Sequence, residues 1–272
     1  MIANQRVSAM YQFQYFRPKS LDEARKLFET NGEAKFLAGG QTLIPTMKQR
    51  LAQPTALIDL GGVAMGGIKV SGGTVTIGAG TKHHDVATSA EVKQAIPALA
   101  HLAAHIGDPA VRHMGTLGGS IANNDPAADY PAAVLALGAT IKTATRTINA
   151  DDFFTGMFET ALQDGEIVTE VAFPVPEKAA YMKFPNPASR YAMVGVFVAK
   201  TKAGVRVAVT GAASCVYRQS AMEAALAKSF TPDAVANIKV SPANMNSDLH
   251  GTAEYRAHLV TVMAKRAMAW LT

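Results

Sequence analysis

Ala38-Gly39-Gly40-Gln41-Thr42-Leu43-Ile44-Pro45 and Gly115-Thr116-Leu117-Gly118-Gly119-Ser120-Ile121-Ala122-Asn123-Asn124-Asp125-Pro126-Ala127-Ala128-Asp129 are the stretches on which the reading of this chain turns. Each joins glycines to a hydroxyl residue. Glycine lets backbone N–H groups come close to an anion and turn to face it. Thr and Ser add short hydroxyl donors. Two such loops can hold a diphosphate between them. Neither fits the G-x-G-x-x-G of a Rossmann turn or the G-x-x-x-x-G-K-[ST] of a P-loop, so a dinucleotide held this way implies a different fold. Taken alone, Gly39-Gly40 reads equally well as a tight strand-to-helix turn. The second stretch tips the reading to a ligand.

Outward from the first stretch, Ala34–Leu37 reads as a buried strand and Leu43–Leu51 as a short helix behind the glycines. Gln12–Phe16 and Thr55–Leu60 read as strands. A helix starts at Ser20, with Glu23 completing a capping box, and stops at Asn31-Gly32. Ile68–Val70 and Thr74–Ile77 alternate around Gly72-Gly73, as a hairpin does. Thr88 and Glu91 form a second capping box, followed by a helix with Ile96, Leu99, Ala103 and Ile106 on one face, closed by Gly107-Asp108-Pro109. Behind the second stretch lies a helix over Pro131–Gly138, then strands at Thr140–Thr145 and Ile167–Phe173. Pro174 and Pro176 mark a boundary. Beyond it, Met193–Lys200 and Val205–Thr210 form a hairpin, and helices cover Ser220–Ala227 and Glu254–Leu271. The expected subdomains are residues 1–60, 61–176 and 177–272.

With 272 residues, 49% of them hydrophobic and 17% charged, the chain has an ordinary globular composition and can bury a large core. Its apolar runs are too short or too interrupted to span a bilayer. Met1–Met10 shows no secretory leader, so a cytoplasmic location, or a peripheral one at the inner face of the membrane, is expected. A single cysteine, Cys215, excludes an internal disulfide and a cysteine-ligated iron–sulfur cluster within the chain. The net charge of +5 comes from scattered Lys and Arg with no aromatic-basic face, which argues against nucleic acid. It is either a solvated basic surface or a complement to a diphosphate and acidic partners. His83 and His84 are adjacent, and a regular backbone points them apart; no His-x₃-His or Cys-x₂-Cys set exists, so no metal site is expected.

The paired glycine stretches and the Asp125-Pro126-Ala127-Ala128-Asp129 that follows resemble the FAD-binding medium subunit of the molybdenum hydroxylases, the carbon monoxide dehydrogenase and xanthine dehydrogenase group. The likeness extends through Phe13–Pro18, Met47–Leu51, Ile106–Pro109 and Asp152–Phe154 to Asn246–His250 and Ala253–Arg256. It implies an α+β protein: a two-subdomain FAD-binding fold of the vanillyl-alcohol-oxidase/p-cresol-methylhydroxylase type, plus a C-terminal α+β domain with a small antiparallel sheet and helices.

Site roles follow from the resemblance position by position. Leu37, Ala38, Gly39, Gly40, Gln41, Thr42, Leu43 and Ile44 should wrap the FAD diphosphate. Thr116 and the backbone of Gly118, Gly119 and Ser120 should hold its other side, with Asn123 close by. Asp129 matches an aspartate that accepts a hydrogen bond from the flavin N3–H; an ionised carboxylate is purely an acceptor, so the pairing is chemically apt. Asp125 is read instead as the cap of the following helix. Val168 matches an apolar or main-chain contact, and Lys183 a lysine near the pyrimidine end of the flavin, where positive charge stabilises the reduced anion. A Thr-x-His motif, Thr81-Lys82-His83, matches one near the flavin edge. The segment Ala188-Ser189-Arg190-Tyr191-Ala192 departs from the family by lacking its acidic step, with Tyr191 in that place. With no His or Cys beside the first glycine stretch, FAD should be non-covalent.

The resemblance further implies an electron-transfer subunit in a complex. A molybdopterin-type cofactor sits on a large molybdenum subunit and two [2Fe–2S] clusters on a small iron–sulfur subunit, in a dimer of heterotrimers. A free-standing FAD-dependent reductase or oxidase of the same superfamily is the alternative, and a nucleotide-binding assembly factor a third.

Overall fold

The structure, a computed structural model, describes residues 10–271; residues 1–9, most of the stretch read for a leader, lie outside these. The chain divides into two compact units, the first ending at Ala64 and the second starting at Met65.

The first unit runs β1 (Gln14–Phe16), α1 (Leu21–Thr30), β2 (Lys35–Leu37), α2 (Leu43–Lys48) and β3 (Ala56–Asp59). Its sheet is parallel, in the order β1-β3-β2. Ala56, Leu57 and Ile58 of the central strand are buried, as a parallel strand covered on both faces requires. The Ser20 hydroxyl caps α1 by accepting from Glu23 N–H at 3.2 Å. The reciprocal bond reaches one residue further back than a standard box: Glu23 accepts from Lys19 N–H at 2.7 Å.

The second unit begins with the hairpin β4 (Ile68–Ser71) and β5 (Thr74–Gly78), whose Gly72 and Gly73 both adopt positive φ. Six short helices follow: α3 (His83–Thr88), α4 (Ala90–Ala95), α5 (Pro97–Ala104), α6 (Pro109–Met114), α7 (Leu117–Asn123) and α8 (Tyr130–Ala136). Next come β6 (Thr140–Thr143), β7 (Thr147–Asn149), α9 (Ala150–Phe153), the small hairpin β8 (Phe154–Gly156) and β9 (Glu159–Thr160), and β10 (Val168–Pro174). The unit ends with β11 (Lys178–Pro185), β12 (Ala192–Thr201), β13 (Gly204–Thr210), β14 (Tyr217–Arg218), α10 (Ser220–Lys228), α11 (Pro232–Ala236) and α12 (Ala253–Trp270). Two antiparallel sheets result, β4-β5-β10-β6-β7 and β11-β12-β13-β14. The boundary expected at Pro174–Pro176 falls between the last-entered strand of one and the first of the other.

Several expectations are corrected. The second capping box does not form: Ser89 is a simple N-cap that accepts from Val92 N–H at 3.2 Å, and Val92 at the third helical position cannot reciprocate; Thr88 ends α3 and turns its hydroxyl back to the His84 carbonyl. The single helix expected through Ile96 is two, because the residue before Pro97 is driven out of the helical region. The second glycine stretch is helix rather than open loop: Gly118, Gly119 and Ser120 lie inside α7. The β11 strand, absent from the sequence reading, lies against the whole length of β12.

The β11–β14 sheet has two buried faces. Ala180, Val194, Val196, Val198, Val207 and Val209 pack with Leu259, Val260, Met263 and Ala267 of α12. On the other face Tyr181, Phe197, Ala199 and Ala208 join a core that contains Ile77, Leu99, Leu117, Tyr130 and Val134. Each fully buried side chain of this size contributes about 1.5–3 kcal/mol.

Candidate flavin site

In the first unit, β2 delivers the chain to Gly40, whose φ is +70°. That left-handed φ favours glycine, while a Cβ there would meet only the movable ends of Ile44 (2.7 Å) and Leu37 (3.2 Å). Ile44 N–H returns to the Gly40 carbonyl at 3.1 Å and Thr46 N–H to that of Thr42. The N–H groups of Gln41, Thr42 and Leu43 meet no acceptor among the described residues. A helix start with three uncommitted donors suits an anion. The Thr42 hydroxyl is not used as a cap, and Gln41 Nε2 donates to the Gly39 carbonyl at 3.2 Å.

The second stretch, within the second unit, is built otherwise. Thr116 caps α7, its hydroxyl accepting from Gly119 N–H at 3.1 Å and its carbonyl from Ser120 N–H at 3.0 Å. Leu117 N–H donates to the Thr81 carbonyl and Gly118 N–H to that of Ala79. The backbone donors expected to face a diphosphate at Gly118, Gly119 and Ser120 are therefore committed within the protein. Gly118 is glycine for packing: a Cβ would lie 2.5 Å from that of Ala79. What this stretch retains for a ligand is the hydroxyl hydrogens of Thr116 and Ser120. Asn123, half-buried, closes α7.

Asn124, passed over in the sequence reading, sits in the left-handed region at φ 42°. Its amide donates to the carbonyls of Gly156 (2.8 Å) and Glu159 (2.7 Å), and its own carbonyl accepts from Phe158 N–H. Asp125 caps no helix; its carboxylate accepts from Ala127 N–H at 2.9 Å in a local turn, because it stands too far ahead of Tyr130.

Asp129 immediately precedes α8, is 4% exposed and makes no capping bond. Its Oδ1 accepts from the Tyr181 hydroxyl at 2.5 Å and from Lys183 Nζ at 3.0 Å, and Oδ2 from Lys183 at 3.2 Å. Lys183 also donates to the His105 carbonyl at 2.7 Å, so its ammonium is held from both sides. Burial pushes the Asp129 carboxyl up; Lys183 and the Tyr181 hydroxyl pull against it. Val168 is buried at the start of β10, beside a break in register with β6.

His83 and His84 do point apart. His83 is buried, its ring 5.3 Å from that of Tyr130, whereas His84 stacks on His113 at 4.1 Å. Burial, reinforced by Lys82 and Arg112, lowers His83 to about 4. Among the described residues, His83 Nδ1 and the Tyr130 hydroxyl are buried without a hydrogen-bond partner. The family-divergent segment is a tight turn between β11 and β12, with Ser189 and Arg190 both left-handed at φ 58° and 60°. Asn186 Nδ2 donates to the Tyr191 hydroxyl across it at 2.8 Å. Among the described residues, no group of three or more His, Cys, Asp or Glu is placed to hold a metal.

Residues 11–176 match the family described as the FAD binding domain in molybdopterin dehydrogenase. The chain belongs to this family. Over 95% of its length it is 36% identical to the carbon monoxide dehydrogenase medium chain of Hydrogenophaga pseudoflava, covering 97% of that protein. It is 37% identical to the glyceraldehyde dehydrogenase medium chain of Sulfolobus acidocaldarius, with 94% and 97% of the two chains covered. The solved carbon monoxide dehydrogenase from Hydrogenophaga pseudoflava superposes with a TM-score of 0.88 at 36% identity, over 96% of this chain and 98% of that one. This member of the family is an FAD-binding oxidoreductase subunit of the molybdenum hydroxylase type, with the α+β fold expected. No helix of its described residues is long and apolar enough to cross a membrane.

Proposed function

We propose that this chain is the flavin relay of a heteromeric molybdenum hydroxylase. It takes electrons from [2Fe–2S] clusters on a small partner, which a molybdenum centre on a large partner supplies, and passes them to an external acceptor. The complex is a dimer of such three-subunit units. Bound FAD supplies the exchange between one-electron and two-electron carriers. The observation that carries the reading is Asp129: a buried carboxylate, held by Tyr181 and Lys183 and free of capping duty, is an acceptor prepared for the flavin N3–H. In the same reading Leu37–Ile44 hold the diphosphate, with the N–H groups of Gln41, Thr42 and Leu43 as donors. Thr116 and Ser120 contribute hydroxyls, Gly119 leaves room beside them, Gly118 seats the helix against Ala79, and Asn123 and Val168 complete the contacts. The Lys183 charge also favours reduced flavin. Substrate oxidation lies on the large partner, so the substrate class is not set by this chain.

The test is anaerobic stopped-flow on the purified complex with and without FAD. Flavin-free complex should reduce its clusters with substrate yet fail to reduce the acceptor. Substrate turnover by the isolated chain, or cluster reduction that needs FAD, would refute the relay.

A further inference from the structure

Tyr181 was not singled out by any motif, and its hydroxyl ends at Asp129. On β11, Tyr181 and Lys183 are two residues apart and so project from the same face of the sheet. Both reach the same carboxylate. Lys183 alone would balance its charge, and phenylalanine would fill the volume of Tyr181, so neither neutralisation nor packing calls for the phenol. The neighbouring strand makes room for that phenol as well. Gly195 pairs with Lys183, and a Cβ at Gly195 would lie 2.4 Å from the Tyr181 hydroxyl oxygen. The sheet thus gives up a side chain at its centre at the point where the phenol passes.

The consequence is geometric. A carboxylate has about four lone-pair directions. Tyr181 and Lys183 occupy two on Oδ1, and Lys183 occupies one on Oδ2. The Tyr181 bond fixes rotation about the carboxylate so that the uncommitted direction is on Oδ2. We propose that Tyr181 is a positioning residue for the flavin: its hydroxyl orients the Asp129 carboxylate and keeps it an acceptor for the flavin N3–H. This rests on the reading of Asp129 given above.

The titratable and charged groups facing Asp129 are Tyr181 and Lys183 from β11, His105 from the end of α5, and Tyr130 on its own helix. Burial and the neighbouring carboxylate push the Tyr181 phenol well above its ordinary range, so it remains a donor throughout. A donated hydrogen bond favours the ionised carboxylate; without it the carboxyl protonates at higher pH and no longer offers an acceptor there.

Tyr181→Phe in the full chain tests this with two readouts. In the flavin-free protein, a ¹³C titration should show the Asp129 carboxyl midpoint about one to two pH units higher than in wild type. FAD affinity, followed by quenching of flavin fluorescence, should fall about tenfold at neutral pH, its acid limb moving up by the same interval. Gly195→Ala, which displaces the hydroxyl, should move both readouts in the same direction. An unmoved Asp129 titration in Tyr181→Phe overturns the proposal, even if the variant is less stable. Asp129→Ala serves as the separate control: wild-type FAD affinity there would remove the flavin reading of Asp129 itself. Weakened binding there, with an unmoved acid limb in Tyr181→Phe, would remove only the role of Tyr181.

Discussion

His83 makes the stability of the second unit sensitive to mild acid. It is 5% exposed, its Nδ1 has no partner among the described residues, and burial together with Lys82 and Arg112 lowers it to about 4. In the unfolded chain a histidine titrates near 6.5. The folded value is the lower one, so the unfolded state takes up the proton first. The associated stability is complete above about pH 6.5 and is lost as pH falls towards 4. Working the two values through linkage gives a loss of about 2 kcal/mol between pH 7 and pH 5, rising to about 3 kcal/mol by pH 4. The perturbation is His83→Leu, which removes the titrating group at similar volume and leaves no acceptor unsatisfied at Nδ1. Urea unfolding of both proteins at half-unit intervals from pH 7.5 to pH 4 isolates the term, because every other group titrates alike in the two. Relative to wild type, the variant should gain about 2 kcal/mol between pH 7 and pH 5 and about 3 kcal/mol by pH 4, so the two profiles separate as the pH falls. Parallel stability profiles would show that His83 does not resist protonation in the fold, and the argument from its burial would fail.

Other expectations follow from neighbouring features. Gly118→Ala places a Cβ 2.5 Å from the Ala79 Cβ and 2.9 Å from its carbonyl oxygen, against backbone that cannot yield; a cost of about 2–3 kcal/mol should appear in the urea midpoint. Gly40→Val should empty the flavin site, read as lost yellow absorbance, while the iron–sulfur signal of the complex persists; full flavin occupancy would make that turn purely structural. Trichloroacetic acid should release all flavin from wild-type protein, and flavin left on the pellet would contradict non-covalent binding. Glu166 is held down to about 2, chiefly by its hydrogen bonds from Arg146; its stabilisation is present above about pH 4.5 and lost as pH falls towards 2. With Arg146 partly in solvent, Glu166→Gln should cost roughly 2 kcal/mol at pH 7, shown by thermal melts.

What was legible in the sequence was what neighbours in the chain decide. The Ser20–Glu23 cap, the Gly72-Gly73 hairpin and the Gly40 turn are each fixed within a few residues, and each was read in place. The β11 strand was missed because Ala179-Ala180-Tyr181-Met182-Lys183 shows no alternation. Both faces of its sheet are buried, so the period-2 signal vanishes. The α7 helix reads as a loop in sequence because paired glycines are poor helix formers; the Thr116 cap and the bonds to Ala79 and Thr81 override that preference. Asp129 was identified through its family position. Its partners Tyr181 and Lys183 lie far along the chain and meet it only through the sheet, which no local pattern encodes.

The two-faced sheet also limits how this protein can be taken apart. The match to the FAD-binding family stops at residue 176, yet Tyr181, Phe197, Ala199, Ala208 and Val216 complete the core that the preceding helices begin. A fragment cut at that boundary would expose one wall of its own interior to water. The stretch matched by the family is thus not a unit of folding, in keeping with relatives that align over nearly the whole chain. Shuffling it onto a foreign C-terminal half would require that half to bring a matching sheet face. Amide exchange should likewise find the strands from Ala192 to Thr210 and the helix at Tyr130–Ala136 opening together, in a single event.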